Sequence, residues 1–232
     1  MGITLCDVHG NRVCGSHEKE LKYCNSCGCF VRNSDLHLND GRILCPVCSQ
    51  AIVRHPEDVK WIIAQVKRFL SEVGISDLSD TISLKIVTAQ EMSRVRGDGK
   101  INLSIPGLAL SKCGYCGLFK KQWEHTVYVL DNIPKVEFAG VLAHELLHTW
   151  QNEREYDFPT DLKEGFCNLG SYVTYLRINN DYSRILAENL KNDSSEIYGV
   201  GFRKVFPIYK SVGNLSDVAK IIDSKKIKQY NS

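Results

Sequence analysis

His144-Glu145-Leu146-Leu147-His148 is an H-E-x-x-H pattern. On a helix, residues i and i+4 share a face, so both imidazoles can reach one metal ion. Glu145 follows the first histidine directly, which sets its carboxylate beside the metal's water rather than on the metal. Zinc lowers the pKa of a bound water from about 15.7 to about 7, and a neighbouring carboxylate can take its proton as oxygen attacks a carbonyl. Two histidines leave room for a third protein ligand and a water. Glu164 stands sixteen residues past His148, at the start of a second helical pattern that can return beside the first. Gly165 follows it and permits close helix approach. Glu153, Glu155, Asp157 and Asp161 are the alternatives, the first three limited by their closeness to His148. The expectation is a catalytic zinc on His144, His148 and Glu164 with Glu145 as general base.

A second group of ligand types lies at the N-terminus. Seven of the ten cysteines fall within the first 48 residues, six of them in C-x-x-C and C-x-x-H pairs. Cys24-x-x-Cys27 and Cys45-x-x-Cys48 are 17 residues apart, the spacing of a tetrahedral zinc held by four thiolates. Between them, Leu36-His37-Leu38 and Arg42-Ile43-Leu44 flank Asn39-Asp40-Gly41, which reads as a tight hairpin. Upstream, Cys6-x-x-His9 and Cys14-x-x-His17 supply four ligands for a second structural zinc, unless the knuckles exchange partners in a cross-braced pairing. Cys29 is left over as a packed thiol. Cys113-x-x-Cys116 has no obvious second pair and reads first as packing or loop thiols, with a third structural zinc or a redox pair as alternatives. His37 and His55 read as surface residues.

The elements that must position these groups follow from periodicity. Residues 1–50 contain few large apolar residues, so metal has to hold them together. Val59, Ile62, Ile63, Val66, Phe69, Leu70 and Val73 recur at helical spacing behind Pro56 and predict a helix over 57–73. Ile82 to Val87 alternates as a strand, 89–95 reads as a short helix, 101–110 as extended chain, and Thr126 to Leu130 as a strand. The H-E-x-x-H pattern lies in a helix over 135–152 that is apolar on much of its circumference. Further helices are expected at 160–178, 182–190, 196–211 and 215–223. The expected fold class is α+β: a LIM-like zinc-binding module over 1–52, then a zincin-like peptidase domain over 56–228 with a small sheet packed on the active helix.

Charge and composition narrow the partners. The chain has 232 residues, 43% hydrophobic and 24% charged, with a formal net charge of +2. In residues 1–50, Arg12, Lys19, Lys22, Arg32 and Arg42 are offset by Asp7, Glu18, Glu20, Asp35 and Asp40, so no basic face for nucleic acid is expected. No apolar run approaches the roughly 20 residues of a membrane helix. Met1 to Asn11 lacks a basic region followed by an apolar stretch, so no export signal is expected and the thiols point to a reducing, cytoplasmic setting.

These residues also carry a likeness. The chain resembles the LIM-domain metallopeptidase family typified by the plant organ-size regulator "DA-one", and its bacterial relatives. Four stretches carry it: Cys24-Asn25-Ser26-Cys27 through Asp40-Gly41-Arg42-Ile43-Leu44-Cys45-Pro46-Val47-Cys48; Leu142 to Trp150 around the H-E-x-x-H pattern; Glu164-Gly165-Phe166-Cys167; and Ser194-Ser195-Glu196-Ile197-Tyr198-Gly199-Val200-Gly201-Phe202-Arg203. The resemblance implies a peptidase that cleaves protein substrates. It assigns His144, His148 and Glu164 to zinc and Glu145 to the base. Two departures stand out: the first half of the LIM module is shortened to the Cys6–His17 knuckles, and ubiquitin-interacting motifs have no counterpart. The expectation is a bacterial-type, minimal member.

Stabilising a transition state needs a donor besides the metal. Tyr172, Tyr175, Tyr198, His125 and Arg203 are the candidates, and Tyr198 is chosen for its place in the glycine-containing segment. The expected cofactors are one catalytic and two structural zinc ions, and the expected partner is a protein or peptide substrate, with a further protein partner through the LIM-like module. The alternative is a catalytically quiet zinc-finger scaffold for protein interaction. Glu145 argues against that alternative, because a scaffold needs no base beside its metal.

Overall fold

The computed structural model describes residues 4–7, 10–116 and 120–230; the side chains of 17–19, 116, 120 and 224–230 are outside that description. The architecture is mixed α and β, with small sheets and eight α-helices among the described residues.

The first fifty residues are built from two-stranded pieces. β1 (Thr4–Cys6) pairs antiparallel with β2 (Arg12–Cys14), followed by a 3-10 turn at Gly15–Glu20. β3 (Lys22–Tyr23) pairs with β4 (Phe30–Val31), and β5 (Leu36–His37) with β6 (Ile43–Leu44). The second pair is the hairpin that the Asn39-Asp40-Gly41 turn predicts, with Gly41 at φ 92°. Helix α1 (Pro46–Gln50) begins at the Cys45 cap. The buried residues here are Cys24, Cys27, Cys29, Leu44, Cys45, Cys48 and Ile52: mostly thiols, with too little apolar surface for a conventional core.

The rest of the chain has a large apolar core of its own. Helix α2 (Pro56–Ser71) takes Pro56 in its first turn, buries Ile62, Val66, Phe69 and Leu70, and leaves Trp61 exposed. β7 (Ile82–Val87) leads through α3 (Ala89–Arg96) to a long hairpin, β8 (Gly107–Cys116) and β9 (Lys120–Leu130). The sheet order is β7-β9-β8, with β7 parallel and β8 antiparallel to the central β9. This differs from the sequence expectation: the extended stretch starts at Gly107 rather than 101, and β9 begins six residues before Thr126. The distal half of the hairpin is polar and exposed, so it carries no alternating pattern to reveal it.

Helix α4 (Lys135–Glu153) lies against the sheet and buries Phe138, Leu142, Leu146, Leu147 and Trp150. Helix α5 (Thr160–Ile178) returns beside it, followed by α6 (Asp181–Asn192), α7 (Tyr198–Val212) and α8 (Leu215–Tyr230). Glycines set the spacing of these helices. A β-carbon on Gly165 would meet the Gly201 carbonyl carbon at 2.2 Å, so α5 and α7 cross backbone to backbone. No helix of the described residues is long and apolar enough to cross a membrane.

The cysteine-rich part is fastened to the start of α4. Ile52 bridges to Pro134, and the Lys135 amide donates to the Ala51 carbonyl at 2.8 Å. The buried guanidinium of Arg42 holds the Asp40 carboxylate through Nη2 at 2.7 Å, and reaches the Asp131 carbonyl through Nη1 at 3.0 Å.

Candidate metal centre

His144 and His148 lie one turn apart on α4, and Glu164 lies in the first turns of α5 facing them. The Nε2 atoms of the two histidines are 3.1 Å apart. Glu164 Oε2 is 3.1 Å from His144 Nε2 and 3.3 Å from His148 Nε2. Three ligands bound to one tetrahedral zinc at about 2.0–2.1 Å would be separated by about 3.3 Å, so the donor types and their spacing fit a zinc ion. The three side chains are 12%, 14% and 17% exposed, which leaves a solvent-facing opening.

The electrostatics follow from this crowding. Burial pushes the Glu164 carboxyl up, but the two imidazoles outweigh it and hold the group well below the usual carboxylate range. Burial disfavours a charged His144, yet the carboxylates of Glu164 and Glu145 keep it above the ordinary histidine value. Glu145 is itself buried, and that burial raises its pKa despite the nearby imidazoles. It packs against the edge strand, with a hydrogen bond to the Ala109 backbone.

Helix α5 brings more than Glu164. Asn168 Oδ1 lies 3.0 Å from His144 Nδ1, and Cys167 Sγ lies 3.4 Å from His148 Nδ1. His144, His148 and Cys167 can also be grouped as a set whose ligand atoms lie within 4.8 Å of one another. The sequence reading passes over Asn168, and it takes Cys167 as part of the Glu164-Gly165-Phe166-Cys167 segment and as a spare ligand for the Cys113/Cys116 pair. The signal was their spacing, three and four residues past Glu164 and so on its face of the helix.

Among the candidate donors, Tyr198 starts α7 with its ring 6.4 Å from that of His144 and its side chain open to solvent. Burial, then Glu164 and Glu145, raises its pKa, so it stays a neutral donor. The other candidates are engaged elsewhere. His125 is buried, with Nδ1 2.8 Å from Ser111 Oγ and Nε2 3.0 Å from Glu153 Oε1. Tyr172 and Tyr175 are core residues, and Arg203 donates to the Asp193 carbonyl.

In the N-terminal part, Cys24, Cys27, Cys29 and Cys45 place their sulfurs within 4.8 Å of one another. Cys48 is buried beside them, its amide donating to Cys45 Sγ at 3.4 Å and its thiol adjoining Cys24 and Cys27. The Cys27–Cys45 sulfur separation of 3.8 Å equals that of thiolates about 2.3 Å from a tetrahedral zinc. Cys29, expected as a bystander, therefore belongs to a group of five thiols that could hold a metal ion. Hydrogen bonds from Cys27 and Cys48 lower the Cys24 pKa, and those two thiols are raised in turn, as one negative charge shared among close sulfurs requires.

For the upstream site, the register sets Cys6 opposite Arg12 and Cys14 opposite Thr4, which puts both cysteines on one face of the hairpin. His9 and the His17 side chain lie outside the described residues, as does the Cys116 side chain. Cys113 is exposed on β8.

Three curated proteins show what the chain is similar to. Protein DA1 of Arabidopsis thaliana is 23% identical over 250 residues, covering 83% of this chain and 47% of that protein. Protein DA1-related 1 from the same plant is 21% identical over 255 residues, covering 83% and 46%. LIM domain-containing protein HDR3 of Oryza sativa subsp. japonica is 23% identical over 194 residues, covering 71% and 38%. The chain is similar to DA1 and DA1-related proteins over most of its length. It spans under half the length of these relatives. No protein-family model and no solved structure matches it.

Proposed function

We propose that this protein is a zinc-dependent peptidase of zincin type that cleaves protein substrates. The observation that carries the reading is the convergence of His144 Nε2, His148 Nε2 and Glu164 Oε2 within 3.1–3.3 Å, with Glu145 buried beside them. When bound, zinc would lower the pKa of a water to about 7 and polarise the scissile carbonyl. Glu145 takes the proton from the attacking water and returns it to the leaving amine. Tyr198 donates to the oxygen on which negative charge develops.

Strand β8 is the edge of its sheet next to Glu145, so an extended peptide can add to it as a further strand. The cysteine-rich region over 1–52 is a LIM-like module that holds zinc structurally, and 56–228 forms the peptidase domain. Cys24, Cys27, Cys45 and Cys48 are the zinc ligands of the second finger half, with Cys29 as an adjoining thiol. Cys6, His9, Cys14 and His17 hold the other structural zinc. The module also offers a surface to a protein partner.

The test is Glu145→Gln in the full chain, assayed on an unfolded protein substrate with zinc content measured in parallel. Cleavage should fall by roughly 10²–10⁴-fold with zinc unchanged. Undiminished cleavage by Glu145→Gln would refute the base assignment.

A further inference from the structure

One face of α5 carries Glu164, Cys167, Asn168 and Ser171, at spacings of three and four residues. Each meets α4. Ser171 Oγ donates to the Gly140 carbonyl at 2.8 Å, which pins the two helices together. Glu164 meets the Nε2 atoms of both histidines, while Asn168 and Cys167 meet their Nδ1 atoms. The two nitrogens of an imidazole point to different sides of the ring. The sulfur of Cys167 therefore meets the Nδ1 side of the His148 ring, whereas Glu164 meets its Nε2.

Once Nε2 of His148 serves as a ligand, the ring proton sits on Nδ1, and that N–H must find an acceptor. Cys167 Sγ is placed for it at 3.4 Å. The thiol hydrogen then has its own acceptor in Gln151 Oε1 at 3.5 Å. Gln151 is fully buried, and its Nε2 has no hydrogen-bond partner among the described residues. The Oε1 of this buried glutamine is thus engaged by the thiol while its Nε2 is not. The chain His148 Nδ1–H to Cys167 S, then Cys167 S–H to Gln151 O, gives each group one consistent role. Asn168 does the same for His144, and its amide donates onward to the Tyr198 carbonyl at 3.5 Å.

We propose that Cys167 is a positioning residue of the metal site: backed by Gln151, it holds the His148 ring with Nε2 toward the metal, as Asn168 holds His144. The inference rests on the zinc reading above. It adds that both imidazoles are held by neutral acceptors, a thiol and a carboxamide, so no second carboxylate adds charge behind the ligands.

The test uses the full chain with Cys167→Val, which fills the space without an acceptor, and Cys167→Ser, which keeps one. Zinc affinity at the histidine site is measured by chelator competition, and cobalt(II) spectra are recorded on the same proteins. Cys167→Val should weaken zinc by roughly 10–100-fold, and Cys167→Ser should recover most of that. The thiolate-to-cobalt absorption should be equal in wild type and Cys167→Ser. Wild-type affinity in Cys167→Val overturns the proposal. Loss of thiolate-to-cobalt intensity in Cys167→Ser overturns it too, by making the cysteine a ligand. Cys167→Ala is read in the same way if the valine variant does not fold. A wild-type chain with no zinc beyond its cysteine sites contradicts the zinc reading itself, a separate outcome.

Discussion

Gly107 and Glu145 are packed so closely that a β-carbon on Gly107 would lie 2.5 Å from Glu145 Oε1 and 2.7 Å from Val141 Cγ1. The edge strand and Glu145, the base of the proposed reaction, are thus fitted to each other at the one residue type without a side chain. Gly107→Ala should push the carboxylate aside while leaving the metal donors in place. Cleavage should fall about 10²-fold with zinc content unchanged, because displacements of about 1 Å cost that much. Paired activity and metal assays check this.

Arg42 is 4% exposed and joins the Asp40-Gly41-Arg42 turn to Asp131, four residues before α4. Arg42→Ala strands the largely buried Asp40 carboxylate. Breaking such a pair should cost about 3 kcal/mol and lower Tm by ~6–12 °C, as read by thermal unfolding. Arg42→Lys should recover only part, because an ammonium cannot serve Asp40 and Asp131 with the same fork.

The same pair gives stability a pH dependence. Burial pushes the Asp40 carboxyl up, but the Arg42 side chain and amide outweigh it, so its folded pKa lies below the ordinary value. A depressed carboxyl stabilises the fold above its unfolded pKa of about 3.9, and the contribution is lost as pH falls through the folded value. Asp40→Asn should therefore be less stable than wild type at pH 7, and the difference should shrink toward pH 3. Denaturant unfolding at several pH values reads it out.

Residues 22–50 bury chiefly thiols, whereas α2, α4 and α5 share a large apolar core. Removing metal with a strong chelator should unfold the first region and spare the second. Hydrogen exchange should accelerate across Cys24–Cys48 while the amides of Leu142–Leu147 stay protected.

The helices and the donor set were legible because they rest on short-range rules. The 3.6-residue period marked α2, α4 and α5 close to their observed bounds, and the i, i+4 histidines needed only a helix. The choice among acidic third ligands was not local. Packing brings Glu164 to the histidines, while Glu153 meets His125, Glu155 pairs with Lys121, and Asp161 pairs with Lys204. The β8–β9 hairpin escaped notice before Thr126 because its outer part, Lys112–Tyr115 with Lys121, Gln122 and Glu124, is exposed and carries no alternating pattern. Cys29 was passed over because it stands outside both C-x-x-C pairs, and only the fold brings it among them. Asn168 and Cys167 meet the histidines on their Nδ1 side, so the spacing of metal ligands alone does not single them out.

The most direct test of the metal centre is zinc per chain in wild type and in the double variant His144→Ala/His148→Ala, purified without added metal. The account predicts that the double variant loses about one zinc ion per chain, keeps the zinc of the cysteine cluster, and cleaves nothing. Equal zinc in the two proteins would mean that His144, His148 and Glu164 hold no metal, and the peptidase reading would fall with them.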